Sequence, residues 1–245
     1  MKRKRKRRDD QSRKQAPQWV LSVAAFALFY QEGEYRLLNL DGNVLTESYD
    51  TKGIYLIQNG KEQQAGTTSE QLTFIEVNGQ KAIERVQILS SHIIGHRKGV
   101  TIVDRQSLKP ISFTDFVDGV QKHKAVYKND VVHLTDEHNR KSVQAISNFY
   151  DTFSVELILR VLPLEESYSI GFQGFNPVSA SAVDIYVETA GLERVKRNSA
   201  ELVDAWKVKT FFGDTLQYYW IDTSHRELLK QSSEIGEGIT MQFRR

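Results

Sequence analysis

The chain of 245 residues has no cysteine, only four prolines and no uncharged apolar run near the roughly 20 residues that a membrane-spanning helix needs. Without cysteine there is no disulfide framework, no thiolate zinc site, no cysteine nucleophile and no lipid-modified N-terminal cysteine. The redox compartment stays open, because a cysteine-free chain folds in reducing and oxidising surroundings alike. With so few prolines and no Gly/Ser-rich stretch there is no candidate linker, so residues 31–245 read as one continuous domain. Dinucleotide-type glycine spacing, a Gly-x-Ser-x-Gly elbow and a His-Glu-x-x-His pair are also missing, and each absence removes a reaction class.

What is present is apolar and aromatic material for a core: 12 Phe, 10 Tyr and 3 Trp. A disordered chain would lack it. The formal charge of +2 hides an asymmetry, since nine of the 33 Lys and Arg and only two of the 31 acids fall in "MKRKRKRRDDQSRK". The remainder carries 24 basic and 29 acidic side chains, about −5, so an acidic body follows a basic leader. A nucleic-acid reader more usually carries its positive charge on the folded surface, so nucleic acid is not the expected partner.

After the basic run, Trp19 to Tyr30 form an apolar segment of about 12 residues, the length of a signal-peptide h-region, with Ala25-Phe26-Ala27 as a small-x-small cleavage pattern. Residues 1–30 therefore read as an export signal or short membrane anchor, which places the protein outside the cell or in the envelope. A basic tail leading into a first strand, with a cytoplasmic protein behind it, and an arm for nucleic acid or anionic lipid are the alternatives.

From Glu34 onward short strands alternate with turn chemistry. "EYRLLNL" leads through Asp41-Gly42-Asn43 to "VLTESYD", and Asn59-Gly60, Asn78-Gly79 and Asn129-Asp130 separate further alternating runs. Such pairs supply the positive φ angles of tight antiparallel hairpins. No strand-helix-strand rhythm appears, which argues against a parallel α/β sheet. In "AWKVKTFF", Trp206, Val208 and Phe212 alternate with Lys207 and Lys209, giving one buried and one wet face. One segment breaks the pattern: "YDTFSVELILRVLPLEESY" packs Val155, Leu157, Ile158, Leu159, Val161 and Leu162 between possible N-caps at Asp151, Thr152 and Ser154 and a stop at Pro163. It reads as a short buried helix near 154–162, with a buried strand as the alternative and Glu156 and Arg160 as its one exposed stripe.

The chemical constellations are weak. His92 and His96 stand four apart but in a glycine-flanked stretch, and His133 and His138 have no third ligand, so no metal or cofactor is expected. Asp222, Ser224 and His225 in "YYWIDTSHRELLKQ" lie too close together to converge as a catalytic triad. They read as a hairpin turn ordered by Asp222, and no catalytic residue is assigned.

The order of three motifs carries a resemblance. "FYDTFSVELILRVLPLEESYSIGF", "VDIYVETAGLERV" and "AWKVKTFFGDTLQYYWIDTSHRELLKQSSEIGEGITMQF" together resemble the C-terminal half of a family of exported bacterial β-rich proteins of unknown function. The Tyr-Trp-Ile-Asp hairpin is also similar to one in lipoprotein-carrier-like proteins, whose bent sheet wraps a short helix and can hold acyl chains. The resemblance covers about residues 100–245 and implies a strongly curved antiparallel sheet or half-barrel with the Leu157 segment on its concave face. The expected function is a non-enzymatic, exported or membrane-associated β scaffold that binds a hydrophobic ligand or an envelope component. Trp206, Phe212, Tyr218 and Trp220 are the candidate ligand-lining residues. A hydrolase acting on envelope material is the alternative.

Overall fold

Hairpin chemistry sets the architecture. The computed structural model describes residues 38–93, 95–198 and 201–245, so the leader expected over residues 1–30 lies outside the described residues. The first meander comprises β1 (Ser48–Gln58), β2 (Lys61–Val77), β3 (Gln80–Ser91), β4 (Gly95–Asp104), β5 (Pro110–Val117), β6 (Val120–Lys128), β7 (Val131–Asp136) and β8 (Lys141–Ala145). Then come β9 (Phe149–Asp151), a 3-10 turn at Thr152–Ser154 and the helix α1 (Val155–Val161). The second meander is β10 (Ser169–Asn176), β11 (Ser181–Lys196), β12 (Leu202–Phe212), β13 (Thr215–Asp222), β14 (Leu228–Gly236) and β15 (Ile239–Arg244).

Both central residues have positive φ at Asn59-Gly60, Asn78-Gly79 and Asn129-Asp130, as two-residue hairpin turns with the right twist require. Residues 38–47 depart from the expected hairpin: Gly42–Val44 form a 3-10 turn capped by the Asp41 carboxylate, and the first strand starts only at Ser48. The reason is a long-range contact. Gly42 N–H donates to Gln106 O, and a Cβ at Gly42 would stand 2.2 Å from Arg105 O, so this segment packs across a loop instead of pairing with a strand.

All the strands belong to one 15-stranded sheet, in the order β8-β7-β6-β5-β4-β3-β2-β1-β15-β14-β13-β12-β11-β10-β9. Antiparallel pairing of β1 with β15, from Gly53 opposite Arg244 to Gln58 opposite Ile239, welds the two meanders together. Among the described strands only β9 and β10 run parallel. A parallel neighbour needs a crossover, and the helix supplies it. Six ladders change register at bulges, among them Ile54/Tyr55, Thr189/Gly191 and Trp220/Ile221, and each bulge bends and twists its strand. The bulge at Gly191 also explains why two expected strands, "AVDIYVETAG" and "LERVKR", are one long β11.

The sheet is mainly antiparallel and strongly curved, and among the described residues it is not closed by hydrogen bonds: β8 and β9 are its two edges. Side chains bring those ends together. Phe149 from β9 and Phe175 from β10 pack with Phe113, Ala125, Tyr127, Val132 and Leu134 from β5, β6 and β7. Tyr127 and Phe149 lie 5.5 Å apart and Phe149 and Phe175 6.0 Å apart, separations at which each aromatic pair adds roughly 0.5–1.5 kcal/mol. The Tyr127 hydroxyl donates to the Asp151 carboxylate and so ties β6 to the end of β9.

The expected buried helix is present on the concave face. Leu157, Ile158 and Leu159 are fully buried against Leu72, Ile83 and Val103 on one side and Phe172, Val187, Val208 and Tyr219 on the other. Burial of this kind is worth roughly 1.5–3 kcal/mol per side chain. The expected exposed stripe is not: Arg160 is 5% exposed, and Glu156 and Arg160 do not pair with each other. A helix enclosed by a curled sheet has no solvent side, so each charge finds its partner on the sheet.

Candidate ligand cavity

The helix fills only part of the enclosed space. Beyond its N-terminal end, where Thr152, Phe153 and Glu156 form a floor, lies a cavity of about 690 Å³ lined by inward-facing residues of nearly every long strand. This is within the size range of small-molecule sites.

One wall, from β1 to β5, is ionic. Lys52 pairs with Asp50, which also accepts from Arg245 Nε at 2.8 Å. Arg85, 1% exposed, donates from Nε to Glu70 Oε2 at 2.6 Å and from Nη1 to Phe153 O at 2.8 Å, and its guanidinium also touches the Glu156 carboxylate. Gln87 Nε2 donates to Glu156 as well, at 3.3 Å. Arg160 approaches Glu70 at 3.7 Å while its Nε donates to Arg226 O at 2.7 Å. Farther along, Arg97 holds the buried Asp115 with two hydrogen bonds of 2.7 and 3.0 Å, the fork geometry that suits a guanidinium. Burial pushes the Glu70 carboxyl up, but the charges of Arg85, Lys52 and Arg160 outweigh it and hold Glu70 below the usual carboxylate range. Glu70 is therefore an ion-pair acceptor and a poor proton donor.

The opposite wall, from β11 to β15, carries no formal charge. Its residues include Val183, Phe212, Gln217, Tyr219, Gln231, Ser233, Met241 and Phe243. Tyr219 Oη donates to Gln217 Oε1 at 2.5 Å, and Gln231 Nε2 donates to the same oxygen at 3.1 Å.

The four aromatics expected to line the interior divide between the two faces of the sheet. Phe212 lines the cavity, and Trp206 packs against the main core beside the helix, near Leu162 and Pro163. Tyr218 and Trp220 sit on the opposite face. The β12–β13 register sets Trp206 opposite Ile221 and Lys207 opposite Trp220, so Trp220 shares its face with the lysine. There Trp220 is 4% exposed under the ammonium groups of Lys207 and Lys230, and its indole N–H donates to Glu193 Oε2 at 2.7 Å.

The hairpin after Trp220 is ordered as its sequence implies. Asp222, 1% exposed, accepts at Oδ1 from the backbone N–H of Ser224 at 2.7 Å and of His225 at 2.6 Å, and at Oδ2 from Arg197 at 2.5 Å. Burial opposes ionisation of Asp222, but these donors outweigh it and lower its pKa. Among the described residues no group of three His, Asp or Glu is placed to hold a metal ion. The ionic wall was not anticipated from sequence. Its signal is parity: Glu70 alternates in phase with Leu72 and Phe74, and Arg85 with Ile83, so each charge stands on an apolar face.

A strongly curved, mainly antiparallel sheet agrees with the comparisons. A family model described as a protein of unknown function, DUF3108, matches residues 55–244. The chain belongs to the DUF3108 family. The match begins within β1, well before the region around residue 100 where the motifs first become legible, so DUF3108 membership extends over both meanders. Among solved structures, the chain is similar to a β-barrel-like protein of the DUF1849 family from Brucella abortus, at 10% identity and a TM-score of 0.51 over 82% of this chain and 95% of that one. At that identity the likeness concerns the fold alone. An alignment with the hypothetical lipoprotein YmcC from Escherichia coli (K12) covers 91% of this chain and 95% of that one at 10% identity, but its TM-score of 0.27 carries no argument. No curated protein matches this DUF3108 chain in sequence.

Proposed function

We propose that this protein is a non-enzymatic binding module of the cell envelope whose cavity holds a molecule with an apolar part. The observation that carries the reading is the space itself: about 690 Å³ left open beside the helix, with Phe113, Phe153, Phe212, Met241 and Phe243 in its lining. A scaffold that needed only a stable interior would fill this volume, because close packing is what stabilises a core. The ionic wall argues against the hydrolase alternative. A general acid needs a raised pKa, and Glu70, a buried carboxylate of the wall, is held low, while Asp115 is held in a bidentate pair by Arg97. The carboxyl that burial does raise, Asp151, to about 7, is fully buried against Tyr127 and does not line the cavity. The envelope address rests on the basic, apolar leader of residues 1–30, which would deliver the module across or onto a membrane.

Native mass spectrometry of the purified full chain, with organic extraction of what co-purifies, tests both parts. A bound mass that disappears in Ser233→Trp, which puts an indole into the cavity beside Gln217 and Met241, and persists in Trp220→Phe on the outer face is the expected result. Absence of any ligand, or equal loss in both variants, refutes the cavity as the site. A mature N-terminus at Met1 in cells, together with a cytosolic location, refutes the envelope address.

A further inference from the structure

The two walls of the cavity differ in what they can still bind. Each cation of the lining already faces a carboxylate: Lys52 has Asp50, Arg85 has Glu70 and Glu156, and Arg97 has Asp115 in a bidentate pair. An anionic group entering here would displace a carboxylate and leave it buried and unpaired, which is strongly unfavourable. A cationic group would strand an arginine or lysine in the same way. The ionic wall is internally neutralised.

The neutral wall is not saturated. Cross-strand pairing sets Gln217 opposite Ser233 and Ser233 opposite Met241 in one row, and Tyr219 opposite Gln231 and Gln231 opposite Phe243 in the next. Gln217 Oε1 is engaged by both Tyr219 and Gln231, which among the described residues leaves the Gln217 amide N–H groups as donors, the Gln231 carbonyl as an acceptor and the Ser233 hydroxyl as either. This is an array of neutral donors and acceptors on two rows, bordered by the flat apolar surfaces of Phe212 and Phe243.

On the reading that the cavity is a binding site, we infer that the polar part of its ligand is uncharged and rich in hydroxyls, as in a glycosyl group joined to an apolar chain. Hydroxyls both donate and accept, so they satisfy Gln217, Gln231 and Ser233 without opening an ion pair, and the C–H face of a sugar ring lies on a phenyl ring as other apolar surfaces do. A phosphate or carboxylate head group would find on this wall only neutral partners.

Isothermal titration of the full-length protein decides the matter, with n-octyl β-D-glucoside below its micelle concentration, methyl β-D-glucoside and decyl phosphate as probes. The octyl glucoside is expected to bind at least tenfold tighter than decyl phosphate, with an affinity unchanged between about 50 and 500 mM NaCl. Gln217→Leu and, separately, Gln231→Leu are expected to weaken it at least tenfold with far-UV circular dichroism and the urea midpoint retained. Methyl glucoside separates the sources: affinity close to that of the octyl compound means a free saccharide, and much weaker binding means a glycolipid. Tighter binding of decyl phosphate, lost in Arg97→Gln and falling with salt, overturns the inference, and so do equal affinities for both amphiphiles. If no probe binds the wild type and Ser233→Trp changes nothing, the binding-module reading itself has failed.

Discussion

Asp151 gives the sharpest quantitative expectation. It ends β9, caps the turn into the helix by accepting from Phe153 N–H at 2.7 Å, and takes the Tyr127 hydroxyl on its other oxygen. It is fully buried, and burial raises its pKa from 3.8 to about 7 although both hydrogen bonds act in the opposite direction. The folded state therefore holds a proton that the unfolded chain releases near pH 4. Between about pH 4 and 7 the unfolded state binds fewer protons than the folded one, so stability from this group falls as pH rises; it is fully present below pH 4 and lost above pH 7. A shift of about 3 units at 1.36 kcal/mol each makes the total roughly 4 kcal/mol.

Asp151→Asn isolates that contribution. The amide keeps an oxygen for Phe153 N–H and offers an N–H to the tyrosine oxygen, but it does not titrate. Urea unfolding followed by tryptophan fluorescence, at half-unit steps from pH 4 to 8, gives the stability of both proteins, and other titrating groups cancel in the difference. The variant is expected to gain about 4 kcal/mol relative to wild type across this range, which in a domain of about 200 residues corresponds to roughly 8–16 °C in Tm. A difference that stays flat within about 1 kcal/mol would refute the idea that Asp151 is buried as the neutral acid.

Three further outcomes follow from the ion pairs and the turn. Arg85→Met removes the cation shared by Glu70 and Glu156 and is expected to lower the unfolding free energy by about 3 kcal/mol in urea titrations, the lower end of the range for a broken buried pair because Glu70 keeps Lys52 and Arg160 nearby. Adding Glu156→Leu, which removes the stranded carboxylate, is expected to recover most of that loss; a simple sum of two losses would mean that the two side chains are not coupled. Asp222→Ala deletes the acceptor of two turn N–H groups and should cost about 2 kcal/mol, whereas Asp222→Asn, which retains Oδ1 for both, should cost less than half as much; equal losses would assign the stability to Arg197 instead.

Local chemistry was legible in the sequence and long-range parity was not. Asn59-Gly60, Asn78-Gly79 and the Asp222 turn are encoded within two to four residues, and the Leu157 helix is announced by an unbroken apolar run with Asp151 before it and Pro163 after it. The face on which Trp220 lies depends instead on how β12 and β13 are phased. The signal is the two-residue turn Gly213-Asp214: once Phe212 pairs with Thr215, Trp206 must meet Ile221, and Trp220 must fall beside Lys207. Parity places Glu70 and Arg85 each on an apolar face, but nothing local shows that they meet each other or Glu156. Glu70 and Glu156 lie 15 and 71 positions from Arg85, and the β2–β3 hairpin and the crossover helix bring the three together.

The ionic wall also bears on what the interior is for. Buried ion pairs seldom stabilise a fold as well as apolar side chains of the same volume, because desolvation of both partners offsets their attraction. A sheet that already encloses Leu157, Ile158 and Leu159 has a ready apolar interior to extend over Lys52, Glu70 and Arg85, yet it carries paired charges there and leaves the adjoining space open. The pairs hold Glu156 and Phe153 at the floor of the cavity in fixed positions and keep the two walls chemically distinct. Arg85→Met combined with Glu156→Leu therefore separates stability from function: thermal unfolding is expected to remain near the wild-type midpoint, while the affinity for a cavity ligand falls as the floor loses its anchor. Unchanged affinity in that double variant would mean that the ionic wall serves the fold alone.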